Sequence, residues 1–172
     1  MIFRPDLFAP ELYFLALAAV LFVFSLFQAD FTKKLSWVPL LGLGGLAVSI
    51  WALNAKGSLF YAAYEVDAVS QFFKAAVALG YTIATLIALK QPTLEEDKKT
   101  DYFMFLTISC FGLMLLSSCV ELIAIFLALE ISSYALYAVI PLRSKDPKAS
   151  EAGIKYILFG AAATAIALFG LS

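Results

Sequence analysis

The chain contains no histidine, and only 15% of its 172 residues are charged. Without histidine it lacks the usual ligands of a di-haem cytochrome and any His-based metal site. Its two cysteines, Cys110 and Cys119, stand nine positions apart. On a helix that spacing separates them by about 13 Å, too far to bridge. They read as small apolar core residues and say nothing of the redox compartment. No Gly-rich phosphate loop and no metal-ligand cluster is present either. Net charge is −1, so no cationic excess points to nucleic acid as a partner.

What the chain has in abundance is apolar sequence. It is 63% hydrophobic, with mean hydropathy +0.92, outside the range of soluble domains. The expected fold is all-α: one membrane domain over 1–172, built as a bundle of six transmembrane helices. The spans fall at about 7–27, 35–53, 68–89, 102–120, 122–142 and 152–171. Each is about long enough to cross a hydrocarbon core of about 30 Å. Pro10 and Glu11 sit in the first turns of the first span, where both are tolerated. That span is too long for a signal peptide and lacks a cleavage site. Gly42, Gly44 and Gly45 in the second, and GAAATAIA (160–167) in the sixth, suit close helix approach. Trp51, Tyr61 and Tyr64 suit an interfacial aromatic belt. KQPTLEEDKKTD (90–101) reads as a solvated loop, and SSCVE (117–121) as a tight turn making spans four and five antiparallel neighbours. The sequence stops at Ser172 without a polar exit, so it reads as a piece of a longer protein.

Charges set against this apolar background are the candidate sites. Glu130 lies near the middle of span five, where an ionised carboxylate costs several kcal/mol. Ser133, Tyr134 and Tyr137 follow at i+3, i+4 and i+7, giving a polar stripe on its face. The bland alternative is a protonated carboxyl that only hydrogen-bonds a neighbouring helix. Lys155 lies about one turn into span six, at an expected vertical offset of about 7–8 Å from Glu130, within reach through one or two waters. Glu151, at i−4, offers Lys155 a purely local partner instead. Desolvation favours the neutral form of a buried carboxyl and a nearby cation its charged form. Such a pair can therefore load and release protons as its geometry changes. Lys74, two turns into span three, belongs to a stripe of Asp67, Ser70, Gln71 and Tyr81. The favoured reading for it is snorkelling to the interface, ahead of a proton relay.

Orientation follows from the cations. Lys33, Lys34, Lys90, Lys98, Lys99, Arg143, Lys145 and Lys148 fall after spans one, three and five; only Arg4 and Lys56 fall on the other side. By the positive-inside rule the N-terminus is outside and the lysine-rich side faces the cytoplasm.

The residues 119–172, with LEISSY (129–134), SEAGIKY (150–156) and LFG (168–170), strongly resemble the antiporter-like proton-pumping membrane subunits of respiratory complex I. The subunit N branch (subunit 2 in mitochondria) is the nearest, and YEVDAVSQFFK (64–74) resembles its entry to the third helix. The resemblance implies a multi-pass inner-membrane subunit of a proton-translocating NADH:quinone oxidoreductase. It implies no redox centre in this chain, with NADH, FMN, iron–sulfur clusters and quinone elsewhere in the complex. It implies other membrane subunits and the lipid bilayer as partners, and Glu130 and Lys155 as proton-path residues. Family members have about fourteen helices and a later lysine that this sequence does not reach. Two other readings stay open: a cation/proton antiporter subunit of the same superfamily, and a membrane scaffold in which Glu130 and Lys155 only lock helices together.

Overall fold

The computed structural model describes residues 5–26, 35–92, 94–142 and 147–171. Its helices are α1 (Ala9–Leu26), α2 (Val38–Trp51), α3 (Ala68–Leu89), α4 (Lys99–Leu116), α5 (Leu122–Leu142) and α6 (Pro147–Leu171), and a hairpin of β1 (Gly57–Leu59) and β2 (Tyr64–Val66) joins α2 to α3. All six helices are long and apolar enough, with their flanking turns, to cross a membrane. The predicted six-helix membrane bundle is therefore the observed fold. Helix α4 starts earlier than expected, at Lys99, and helix α6 at Pro147. Part of the presumed loop 90–101 is accordingly helical, with Leu94, Lys99 and Thr100 buried.

Helix α4 is the hub: α1, α3 and α5 all pack against it, while α2 leans on α3 and α6 on α5. Phe14, Leu21, Tyr81, Phe103 and Met114 fill the core between α1, α3 and α4. Lipid tails are as apolar as leucine, so what holds the helices together is close packing and interhelical polar contact. Gly112 of α4 supplies the first: a Cβ there would lie 2.7 Å from the Ser132 amide nitrogen and 3.0 Å from the Ala128 carbonyl oxygen of α5. Tyr81 to Thr107 at 2.9 Å and Ser109 to Ser132 at 3.0 Å supply the second. The expected glycine contacts of α2 are present too, with Gly42 against Thr82 and Gly45 against Phe14. The two cysteines are free, Cys110 buried and Cys119 half-buried.

At one end of the bundle the hairpin turns through Phe60, Tyr61 and Ala62, all with positive φ, a conformation rare outside glycine and asparagine. Tertiary bonds hold it there. The Glu65 amide donates to the Ser118 carbonyl at 2.8 Å and the Val120 amide to the Ala63 carbonyl at 3.0 Å. Strand β2 thus pairs with the α4–α5 break around Cys119. That break falls where the sequence placed it, and α4 and α5 are close neighbours. Trp51 and Tyr61 are exposed at this end, as an interfacial belt requires, but Tyr64 is not: it is buried at 4% exposure.

Candidate functional site: two buried carboxylates

Glu130 is 9% exposed, on the side of α5 that meets α6. Its Oε1 accepts from the Thr164 hydroxyl at 2.9 Å, and its Oε2 has no hydrogen-bond partner among the described residues. The predicted stripe is real and faces α6. Tyr134, one turn on from Glu130, is largely exposed. Tyr137 is buried and makes edge contacts to Tyr134, at 5.7 Å between centroids, and to Tyr156 of α6, at 5.1 Å. Ser133 is half-buried on the same side. Thr164 escaped the sequence reading because nothing in a run of small residues marks one hydroxyl as the partner of a carboxylate 34 positions away on the preceding helix.

Lys155 is not brought to Glu130. Gly153 packs on Ile140 and Pro141, while Thr164 reaches Glu130. That antiparallel register places Lys155 level with Val139, nine residues or about 14 Å from Glu130 at ~1.5 Å per residue. The expected 7–8 Å offset is therefore too small. Lys155 is exposed instead and bonds Glu151 one turn away. The local pair is the one that forms, since helix α6 turns that face outward.

Lys74 corrects the sequence reading further. It is fully buried and does not snorkel: its Nζ lies 2.7 Å from Glu11 Oε1, and both side chains are 0% exposed. The Tyr64 hydroxyl donates to the same oxygen, and Lys74 Nζ sits 5.2 Å from the centre of the Tyr64 ring. Burial and the Glu11 charge push the Tyr64 hydroxyl far above its ordinary range, so it stays a donor. Glu11 comes from the first turns of α1 and Lys74 from α3. Asp67 caps α3, with the Ser70 amide donating to its carboxylate at 2.7 Å. That amide and the Ser70 hydroxyl hold the Asp67 carboxyl below its ordinary value. A crevice of about 380 Å³ opens beside this cluster, lined by Phe8, Tyr64, Cys119, Leu127, Ala128 and Ile131 among others. It runs along α5 to the immediate neighbour of Glu130.

Among the described residues no group of three or more His, Cys, Asp or Glu is arranged to hold a metal. Chemically, each carboxylate can exchange a proton at its unpartnered oxygen while the other oxygen keeps the residue in place.

Comparison with known proteins agrees with this membrane architecture. Residues 119–172 match the family model described as NADH:quinone oxidoreductase/Mrp antiporter, TM. The chain is 52% identical over 163 residues to NADH-quinone oxidoreductase subunit N 2 of Solidesulfovibrio magneticus, covering 95% of this chain and 34% of that protein. It is 32% identical over 171 residues to NADH-quinone oxidoreductase subunit N of Maricaulis maris, covering 97% and 35%. NAD(P)H-quinone oxidoreductase subunit 2 of Microcystis aeruginosa is 32% identical over 142 residues, covering 80% and 28%. The chain spans about a third of the length of these relatives. With six membrane helices, a carboxylate buried in the fifth and similarity along nearly its whole length, the chain is the counterpart of about a third of an NADH-quinone oxidoreductase subunit N, ending in the segment that matches the NADH:quinone oxidoreductase/Mrp antiporter family.

Proposed function

We propose that this chain forms part of the proton path in a membrane-arm subunit of a proton-translocating NADH:quinone oxidoreductase, with Glu130 as the group that gains and loses the proton. The observation that carries this reading is the state of Glu130: near mid-helix, buried, held by Thr164 through one oxygen and unpartnered at the other. A protonated carboxyl and a carboxylate can both keep the Thr164 bond. The site can therefore change charge without losing its geometry.

In this reading electron transfer belongs to other subunits, which carry NADH, FMN, iron–sulfur clusters and quinone. This chain binds none of them and works against neighbouring membrane subunits. Its N-terminus lies on the outer side of the cell membrane, so α5 runs from outside to inside and the Glu11–Lys74 pair lies in the outer half. Lys155, with Glu151, serves the path from the cytoplasmic end of α6, acting on Glu130 at a distance instead of through a shared water.

The test is Glu130→Gln in the assembled complex, reconstituted in proteoliposomes with a pH-sensitive dye and NADH as donor. Proton translocation and quinone reduction should both fall while assembly persists. Translocation at the wild-type rate would make the carboxylate structural. The matching family description also names Mrp antiporters. Copurification with flavin and iron–sulfur subunits separates that second reading from the first.

A further inference from the structure

The Glu11–Lys74 pair has no place in that path, yet it is the most deeply buried charge in the described molecule. Three elements converge on it: α1 gives Glu11, α3 gives Lys74 and β2 gives Tyr64. Cys119, from the α4–α5 break, lies in electrostatic reach of both charges. Glu11 Oε1 accepts the Tyr64 hydroxyl and lies at ion-pair distance from Lys74 Nζ. Among the described residues Lys74 Nζ makes no hydrogen bond, Glu11 Oε2 has no partner, and neither the Oε1 nor the Nε2 of Gln71 has one. Gln71 is 0% exposed and stands three residues before Lys74, on the same face of α3. A fully buried amide with every polar atom unmatched is rare in a folded protein. Its carbonyl oxygen and NH₂, together with the free oxygen of Glu11, give two acceptors and a donor, the complement of one or two water molecules.

We propose that Glu11, Tyr64, Gln71 and Lys74 form a second proton-exchange site, whose ligand is water held between Gln71 and Glu11 Oε2. With Lys74 charged and Glu11 ionised the pair is neutral overall. A proton carried by that water adds to Glu11 Oε2, the water remains with Gln71, and the net charge becomes +1. Release to the same water reverses the step. Lys74 stays protonated throughout and makes the loaded state short-lived, because its charge opposes the added proton. Tyr64 is a positioning residue: its hydroxyl holds Oε1 and its strand covers the pair at the hairpin end of the bundle.

This inference rests on reading the chain as part of a proton-translocating subunit, and its test keeps the two apart. In the complete reconstituted complex, Gln71→Leu fills the same space and removes only the water partner. We expect normal assembly and a severalfold slower proton translocation; a buried pair with a purely structural role predicts the wild-type rate. Tyr64→Phe keeps the ring over Lys74 and should displace the pH profile of translocation, which a structural hydroxyl would leave in place. Wild-type values for both variants overturn the proposal. If Glu130→Gln lowers translocation in the same preparation while these two do not, only the second site falls. If none of the three lowers it, the proton-path reading falls as well. Should a variant fail to assemble, a cryo-EM map of the wild-type complex decides. Ordered water between Gln71 and Glu11 supports the site, and a Gln71 amide bonded wholly by protein groups overturns it.

Discussion

Two carboxylates set the behaviour of single residues, and they differ in what surrounds them. Glu130 has a neutral partner in Thr164, so Glu130→Gln keeps a hydrogen-bonded side chain of the same shape and should cost little in assembly. Loss of a positioned acid–base group is worth on the order of a hundredfold in proton-transfer rate, and that is the fall expected in dye-detected translocation. Glu130→Asp, shorter by one methylene, should keep part of the rate. Glu11 has a charged partner, and there the ordering reverses. Lys74→Met leaves a carboxylate buried without its cation, which costs about 3–5 kcal/mol, so the single variant should assemble poorly in thermal-shift measurements on the complex. Glu11→Gln together with Lys74→Met removes both charges and should recover most of that loss. A double variant as unstable as the single one would show that the pair's charges are not what holds α1 to α3. Sequence alone pointed to Glu130 because an acid in the middle of an apolar run is costly to keep there. It misjudged Glu11 and Lys74 because each lies near a helix end, where an acid or a bent lysine is ordinarily at home. Which faces of α1 and α3 meet, 63 positions apart in the chain (Lys74 minus Glu11), is not encoded in either local pattern.

At the scale of elements, the contact between α4 and α5 depends on a missing side chain. Any residue larger than glycine at 112 meets the α5 backbone at Ser132 and Ala128, which cannot rotate out of the way as a side chain could. Gly112→Val should therefore force the helices apart, break the Ser109–Ser132 bond and cost at least about 1–3 kcal/mol, read as a lower melting temperature. Normal stability would mean that the pair tolerates a wider spacing. Helix α3 depends on its cap in a way that responds to pH. The folded state lowers the Asp67 carboxyl from its ordinary 3.8 through the Ser70 amide. A group lowered on folding stabilises the fold fully above its unfolded value, and that contribution is lost as pH falls through the folded value. Acid stability below about pH 3.8 should thus depend on Asp67, and Asp67→Asn should flatten that part of the stability profile in detergent. The glycines and the SSCVE break were legible because small residues and short polar runs between apolar stretches have few other uses. The hairpin was not. Its turn residues Phe60, Tyr61 and Ala62 carry no turn chemistry of their own and are held in positive φ by bonds to Ser118 and Val120, more than fifty residues downstream.

Across the whole molecule, the cation bias predicts which end faces which compartment. Lys98→Cys should react with a membrane-impermeant thiol reagent only from the cytoplasmic side and Lys56→Cys only from the outer side, in a background lacking Cys110 and Cys119. The opposite labelling would invert the orientation and place the Glu11–Lys74 pair in the inner half. Four members of the eight-cation set, Lys33, Lys34, Arg143 and Lys145, lie outside the described residues, as does Arg4 on the opposite side, so labelling is the direct measurement. The six spans were plain in the sequence because a bilayer demands long apolar runs, whereas the order in which those spans pack around α4 was not, since lipid and protein present similar surfaces to them. The link between the hairpin and the α4–α5 break also sets a schedule for synthesis. Tyr64 leaves the ribosome 55 residues before Cys119, which at about 5–20 residues per second is a delay of about 3–11 s. Through that interval the hairpin lacks its bonds to Ser118 and Val120, and Glu11 and Lys74 must find each other beneath an open end. A nascent chain arrested before Ser117 should leave the hairpin turn open to proteolysis, and one arrested well after α5 should not, so the fourth and fifth helices act as the late fastening that turns three inserted spans into a closed structure.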